Sequence, residues 1–210
     1  MKIQKPNIEI DEIIENNIRE KIEEIEDDIY NIEFKGIIEN IQIYKNEFKS
    51  CIFKNCICTD SKLEHMYFTD VQFIDCDFSN SNFSESYFNR VEFINCKFVG
   101  SNFSNSVFNN VKIEKSNFKY VNLSMSRIKD FIFCNTEFIN GYIEECDMKN
   151  IEIKETNFSN TQFFRTKLNK IDFTNSIIEG IVVSVEDVKG MVVTELQALE
   201  LSKLLGIIIK

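Results

Sequence analysis

Apolar side chains recur along this chain with a period of five. Phe68, Phe73, Phe78, Phe83, Phe88, Phe93, Phe98, Phe103 and Phe108 follow one another at that interval without a break. Five fits neither the 3.6-residue turn of a helix nor the alternation of a strand, and a fixed period of this kind signals a repeat architecture. Extending the register gives thirty apolar positions from Ile38 to Val183, and 17 of the 20 phenylalanines fall in this one column. The column two residues earlier, through Ser81, Ser86, Val91, Cys96, Ser101 and Ser106, carries mostly small or medium side chains. None of the 35 charged residues between positions 36 and 185 stands in either column. Both columns therefore point inward.

A second period of twenty lies over the first. The bulkier members of the small column, Val71, Val91, Val111, Phe131, Ile151 and Ile171, recur at that spacing, as do Cys56, Cys76 and Cys96. Residues twenty apart thus share an environment, which predicts a coil of twenty residues with four sides of five. Thirty pentapeptides from Gly36 to Val185 make seven and a half coils, about 36 Å at roughly 4.8 Å per coil. The expected fold is an all-β solenoid in which each coil contacts its neighbours. The unbroken frame predicts no projecting loop.

The ends follow other patterns. In the acidic segment 1–35, Ile14, Ile18, Ile22, Ile25 and Ile29 keep helical spacing and predict an amphipathic helix from Asp11 to Ile29. It would cap the open end of the stack. Residues 36–185 form the repeat. In 186–210, Thr194 and Gln197 form a capping box for a helix of 13 residues that stops at Gly206, between short strands at Val192–Val193 and Ile207–Ile209. Leu196, Leu199, Leu201, Leu204, Leu205 and Ile207 are more apolar surface than one cap can hide, which predicts a homodimer joined through this end.

Charge and candidate chemistry narrow the function classes. The net charge is −10, with 11 acidic and 5 basic residues in 1–35 but 19 and 16 in 36–185. An acidic balance argues against direct binding to nucleic acid or an anionic membrane. With no run of about eighteen apolar residues and no signal-type start, the expected location is the cytoplasm. Six of the seven cysteines point inward and read as reduced core thiols. A zinc site at Cys51, Cys56 and Cys58 fails on spacing and on the want of a fourth ligand. His65, the one histidine, stands in an outward column. Ser84, Ser104 and Ser124 stack outward without a base. No phosphate loop is present, so no catalytic residue, metal or cofactor is assigned and the chain reads as non-enzymatic. The outward positions that could meet a partner are Tyr67 and Tyr87 stacked with Val107, a basic strip of Arg127, Lys129, Lys149, Lys167 and Lys170 lower on the same face and interrupted by Asp130 and Asp147, and the exposed apolar pair Ile74 and Ile94 on another face.

Segments such as Ser81-Asn82-Phe83-Ser84 and Ser101-Asn102-Phe103-Ser104 resemble the pentapeptide-repeat proteins. That resemblance implies a right-handed quadrilateral β-helix. The end of the chain, with Leu196-Gln197-Ala198-Leu199 leading to Leu204-Leu205-Gly206-Ile207, is similar to the Qnr-type quinolone-resistance proteins and their mycobacterial relative. This implies a homodimer that binds the type II topoisomerases, DNA gyrase and topoisomerase IV, by imitating duplex DNA. The frame lacks the two projecting loops of several Qnr-type members. A duplex 36 Å long carries about 21 negative charges, whereas the solenoid carries a net −3, so charge imitation would be local. The alternative is a structural scaffold whose flat faces bind an unrelated protein.

Overall fold

The structure, a computed structural model, describes residues 1–24, 28–38, 40–44 and 47–208. Its elements in chain order are β1 (Glu12–Ile14), α1 (Ile18–Glu24), β2 (Ile29–Tyr30), β3 (Ile32–Phe34), β4 (Gln42–Tyr44), β5 (Glu47–Lys54), β6 (Lys62–Glu64), β7 (Tyr67–Ile74), β8 (Tyr87–Ile94), β9 (Val107–Glu114), β10 (Arg127–Cys134), β11 (Asp147–Lys154) and α2 (Glu195–Ser202). Strands β5 and β7 to β11 lie side by side in chain order, all parallel. Each residue pairs with the one twenty further on, as in Tyr67 with Tyr87 and Phe73 with Phe93. The chain is a parallel β-solenoid of about seven coils.

Corners are set by backbone conformation. At every fifth residue from Ser50 to Lys170 the chain turns at positive φ, between 45° and 63° except at Gly100, where φ is 72°. Four such corners fall in each twenty-residue coil. Most are not glycine; Glu85, Arg90, Tyr120, Met125 and Arg165 all adopt this conformation, which costs a non-glycine residue of order 1 kcal/mol or more. Inter-coil hydrogen bonds offset that cost. Asn55, Asp75, Asn95 and Lys115 each donate an amide to the carbonyl nineteen residues on, at 2.9–3.0 Å.

Inside, the aromatic columns stack at the rise of the coil. Phe73 and Phe93 lie 5.0 Å apart with ring planes 10° from parallel, and Phe83 and Phe103 lie 4.8 Å apart at 4°. Within a coil the rings meet edge to face, as Phe93 and Phe98 do at 88°. Phe73, Phe78, Phe83, Phe88, Phe93, Phe98, Phe103 and Phe108 are all at most 2% exposed. Where Ile113 and Ile128 replace phenylalanine, Phe131 in the small column fills the space, 4.7 Å from Phe133.

The small column is polar for a reason. Ser81 Oγ donates to Cys58 O at 2.7 Å and accepts from Ser61 N at 3.2 Å, so the buried hydroxyl is satisfied and joins two coils. Thiols take the same role: Cys76 Sγ lies 3.2 Å from Phe53 O and Cys96 Sγ 3.3 Å from Phe73 O. Burial pushes Cys51 and Cys146 up to about 11 and Cys58 up to about 12. Only the thiolate reacts. Cys56, Cys76 and Cys96 are likewise shut off from solvent, so a native titration with an aromatic disulfide reagent is expected to count one thiol, the half-buried Cys134, and seven after denaturation. A native count of three or more would mean that the columns are open.

Both ends differ from the helices the sequence predicts. The N-terminal helix does not run from Asp11 to Ile29 but is the seven-residue α1, with Ile18 and Ile22 buried against the stack. Residues 12–14 form β1 instead and pair with β3, because Ile14 serves the solenoid as well as it would a helix. Ile25 lies outside the described residues and Ile29 begins β2. The stack thus starts before the five-residue frame does. Phe34 pairs with Phe53, nineteen residues on, while Ile37 pairs with Ile57, twenty on. This coil is one residue short at Gly36, whose φ of 128° makes the tight corner and whose added Cβ would lie 3.2 Å from Glu15 O.

At the other end, stacking continues past the last pentapeptide, with Phe173 N bonded to Val192 O at 2.9 Å. The expected 13-residue helix is the eight-residue α2 followed by a 3-10 turn at Lys203–Leu205, stopped by Gly206 at φ 71°. Val192 makes a single bridge to Asp172, Ile207 and Ile208 are not in a strand, and Ile209 lies outside the described residues. The capping box is present: Gln197 N donates to Thr194 Oγ1 at 3.2 Å, and Gln197 Oε1 accepts from Thr194 N at 2.9 Å. Gln197 Nε2 also donates to Phe173 O and Ser176 O, at 2.9 and 2.8 Å, and this ties the helix to the last coil.

Candidate interaction surfaces

Inward columns consume the apolar residues, so function must lie in what points outward. Tyr67, Tyr87 and Val107 stack on one wall; Tyr67 is exposed and Tyr87 half-buried, with ring centroids 6.3 Å apart. Below them a shallow groove is lined by Tyr87, Val107, Asn109, Arg127, Lys129, Asp147 and Lys149. Part of the basic strip thus lies below the aromatic pair on the same face, as the register predicts. Lys167 and Lys170 stand exposed beyond the groove. Ile74 and Ile94 face outward on the adjoining wall, where they are half-buried rather than bare.

The edge between those two walls carries something absent from the sequence reading. Residues 1–10 run in extended form along the corner column Ser50, Asp70, Arg90 and Asn110. The amides of Gln4, Asn7 and Glu9 donate to Asn110 Oδ1, Asp70 Oδ1 and Ser50 Oγ at 3.0, 2.9 and 2.7 Å. Ser50 Oγ returns a hydrogen bond to Glu9 O at 3.0 Å. The hint in the sequence was slight: Ile3, Pro6, Ile8 and Ile10, all half-buried here, alternate with exposed polar residues.

Asp70 is the electrostatic centre of that edge. Arg90 Nε and Nη2 donate to its two oxygens at 2.6 Å each. Burial acts to raise the pKa of this carboxyl, but hydrogen bonds from Arg90 and from the Asn7 amide, with the positive charges of Arg90 and Lys49, outweigh it. They hold Asp70 below its ordinary 3.8. A depressed carboxylate stabilises above its unfolded pKa, and the contribution is lost as pH falls through the folded value. Lowering pH from about 5 to about 2 should therefore reduce the protection factor of the Asn7 amide in hydrogen exchange. Protection unchanged over that interval would separate the arm from Asp70.

Other outward features divide into apolar and inert. Tyr120, Met125, Tyr142 and Phe164 are exposed large side chains toward the C-terminal half, passed over in the sequence because the first two occupy corners. Arg165 lies 5.2 Å over the Phe164 ring. On the C-terminal module Leu196 is 78% exposed, Leu205 62% and Ile207 51%; Leu199 and Leu204 are also exposed, while Leu201 is half-buried and packs on the core. His65 sits at an open corner with Nδ1 3.4 Å from Glu85 Oε2. Among the described residues no group of three or more His, Cys, Asp or Glu could hold a metal ion, and no helix is long and apolar enough to cross a membrane.

Comparison with known proteins agrees with this architecture. Residues 86–163 match a family model described as "Pentapeptide repeat region", and residues 51–90 match one described as "Pentapeptide repeats (8 copies)". No curated protein sequence matches. Among solved structures, a trypsin-treated variant of QnrB1, a plasmid-mediated fluoroquinolone resistance protein, matches at 16% identity. It covers 85% of this chain and 99% of that one, with a TM-score of 0.53. A second trypsin-treated QnrB1 variant matches at 17% identity over 84% and 99%, with the same TM-score.

Proposed function

Since this chain belongs to the pentapeptide-repeat family, we propose that it is a non-catalytic, cytoplasmic, dimeric binding protein whose partner is a type II topoisomerase. DNA gyrase or topoisomerase IV would be held along the wall of the rod, and protection against quinolones would follow from that contact. The observation that carries this reading is the likeness to QnrB1, which covers 85% of this chain and 99% of the solved one. At this level of identity the likeness speaks for shape, and the partner is inferred from shape together with the C-terminal module. The aromatic pair Tyr67 and Tyr87 with the groove beneath it, and Ile74 and Ile94 on the neighbouring wall, are the proposed contact surfaces.

Imitation of duplex DNA would here be a matter of form more than of charge. The repeat carries 19 acidic and 16 basic residues, far below the charge of a duplex of equal length. The same number favours a second reading, a scaffold that binds some other protein through its walls. One experiment separates the two. Purified gyrase supercoils relaxed plasmid with and without ciprofloxacin, and the protein is added at micromolar concentration. The topoisomerase reading expects inhibition of supercoiling or its rescue from the drug, each reduced when Tyr87→Ala is introduced. Indifference of the enzyme in both arms would leave the scaffold.

A further inference from the structure

We propose that the edge formed by Ser50, Asp70 and Asn110 is a docking groove for an extended peptide of a partner protein, and that residues 1–10 occupy it in cis. This inference stands whether or not the partner is a topoisomerase. The argument begins with what the edge offers. Its positions recur once per coil, roughly 4.8 Å apart, along the axis of the rod, with acceptors at Ser50, Asp70 and Asn110 and the donor Arg90 between the last two. An extended chain advances about 3.3 Å per residue, so three residues span two coils. Gln4 and Asn7 are three residues apart and meet Asn110 and Asp70, two coils apart. The groove therefore reads backbone amides at a spacing any extended peptide can supply. Ser50, which both accepts from and donates to Glu9, acts as one rung of a strand would.

Burial supplies an independent observation. Corner residues on the other edges, such as Asn55, Asp75, Glu85 and Asn95, are exposed, whereas Ser50 and Asp70 are buried. The two buried corners are the ones whose side chains meet the amides of Asn7 and Glu9. The occupant this groove fits is thus an extended segment with free amides at the positions of Gln4, Asn7 and Glu9. It would carry apolar side chains where Ile3, Pro6 and Ile8 lie. Proline is accommodated at the sixth position, where no amide is used.

Release is built into the arrangement. The arm is held by isolated bonds to side chains rather than by a continuous ladder, and none of its apolar residues is fully buried. A tethered segment is present at an effective concentration in the millimolar range. It can stay docked with weak intrinsic affinity and still give way to a tighter partner segment.

The test uses the full chain and a fluorescent peptide with the sequence of residues 2–11. Binding is followed by anisotropy to the unaltered protein and to the full-length variant Asn7→Pro with Glu9→Pro, which lacks two of the three amide donors. Exchange of the Gln4 amide reports whether the arm has left. The expected result is saturable binding to the variant, at least about tenfold tighter than to the unaltered chain, and its loss when Ser50→Ala and Asn110→Ala are added. Equal binding to both chains, or none to a variant whose Gln4 amide exchanges freely, overturns the proposal. So does an arm that remains protected in that variant, since these bonds would then not hold it.

Discussion

Phe93→Ala is expected to destabilise the protein by about 3–5 kcal/mol, the range for removing a fully buried aromatic ring from a packed core. Phe93 is 1% exposed and touches rings in three directions: Phe73 in the coil before at 5.0 Å, Phe98 in its own coil at 5.2 Å and Phe118 in the next at 6.0 Å. A cavity there cannot collapse, because the coil rise is set by backbone hydrogen bonds rather than by side chains. Stability in such a stack is carried by nearest-neighbour contacts, so the damage should be uneven. In hydrogen exchange the amides of β7, β8 and β9 lose protection first, while those near Phe163 and Phe173 keep theirs. A cost below about 1 kcal/mol, or an even loss along the rod, would contradict the column as described.

Leu196→Glu combined with Leu205→Glu is expected to halve the mass in solution. The two leucines are 78% and 62% exposed, so their replacement leaves the single chain packed as before. Glutamate at the centre of an apolar contact, by contrast, must be desolvated without a partner, which costs several kcal/mol. Leu201 would be a poor choice for this purpose because it packs on the core, and its loss would confuse unfolding with dissociation. Sedimentation equilibrium at micromolar protein reads the outcome, with the thermal transition of the rod as a control. If the double variant and the unaltered protein have the same mass, the C-terminal leucines serve something other than pairing of two copies.

The coil was legible in the sequence because it is dictated by side-chain volume. A column with 17 of the 20 phenylalanines leaves no second way to bury them, and Phe73 over Phe93 follows. The corners were not legible in the same way. Asn55, Asn95 and Asn135 mark one corner by a residue that tolerates turn conformations, but Glu85, Arg90, Tyr120 and Met125 share the backbone conformation without that chemistry, so the signal was partial. Ile14 misled for a related reason: it fits a helical stripe and the solenoid wall equally well, and strand pairing with β3 decided between them. The arm of residues 1–10 was hidden because its partners lie 41 to 106 residues away. Its bonds join backbone to side chain, which imposes no periodicity. Of the candidate surface, the aromatic pair and the basic strip below it on the same face were visible as columns, but the groove they line depends on how their side chains lie.

The corner conformation has a further consequence for how such a rod can change over time. From Ser50 to Lys170 the turning positions hold Ser, Asn, Asp, His, Glu, Arg, Gly, Lys, Tyr and Met, and never Val, Ile, Thr or Pro. Branching at Cβ or a locked ring is excluded there by steric strain, and almost anything else is admitted. A lineage of these molecules is thus free to redraw its exterior one edge at a time while the interior stays constant, so new binding habits can arise with little risk to folding.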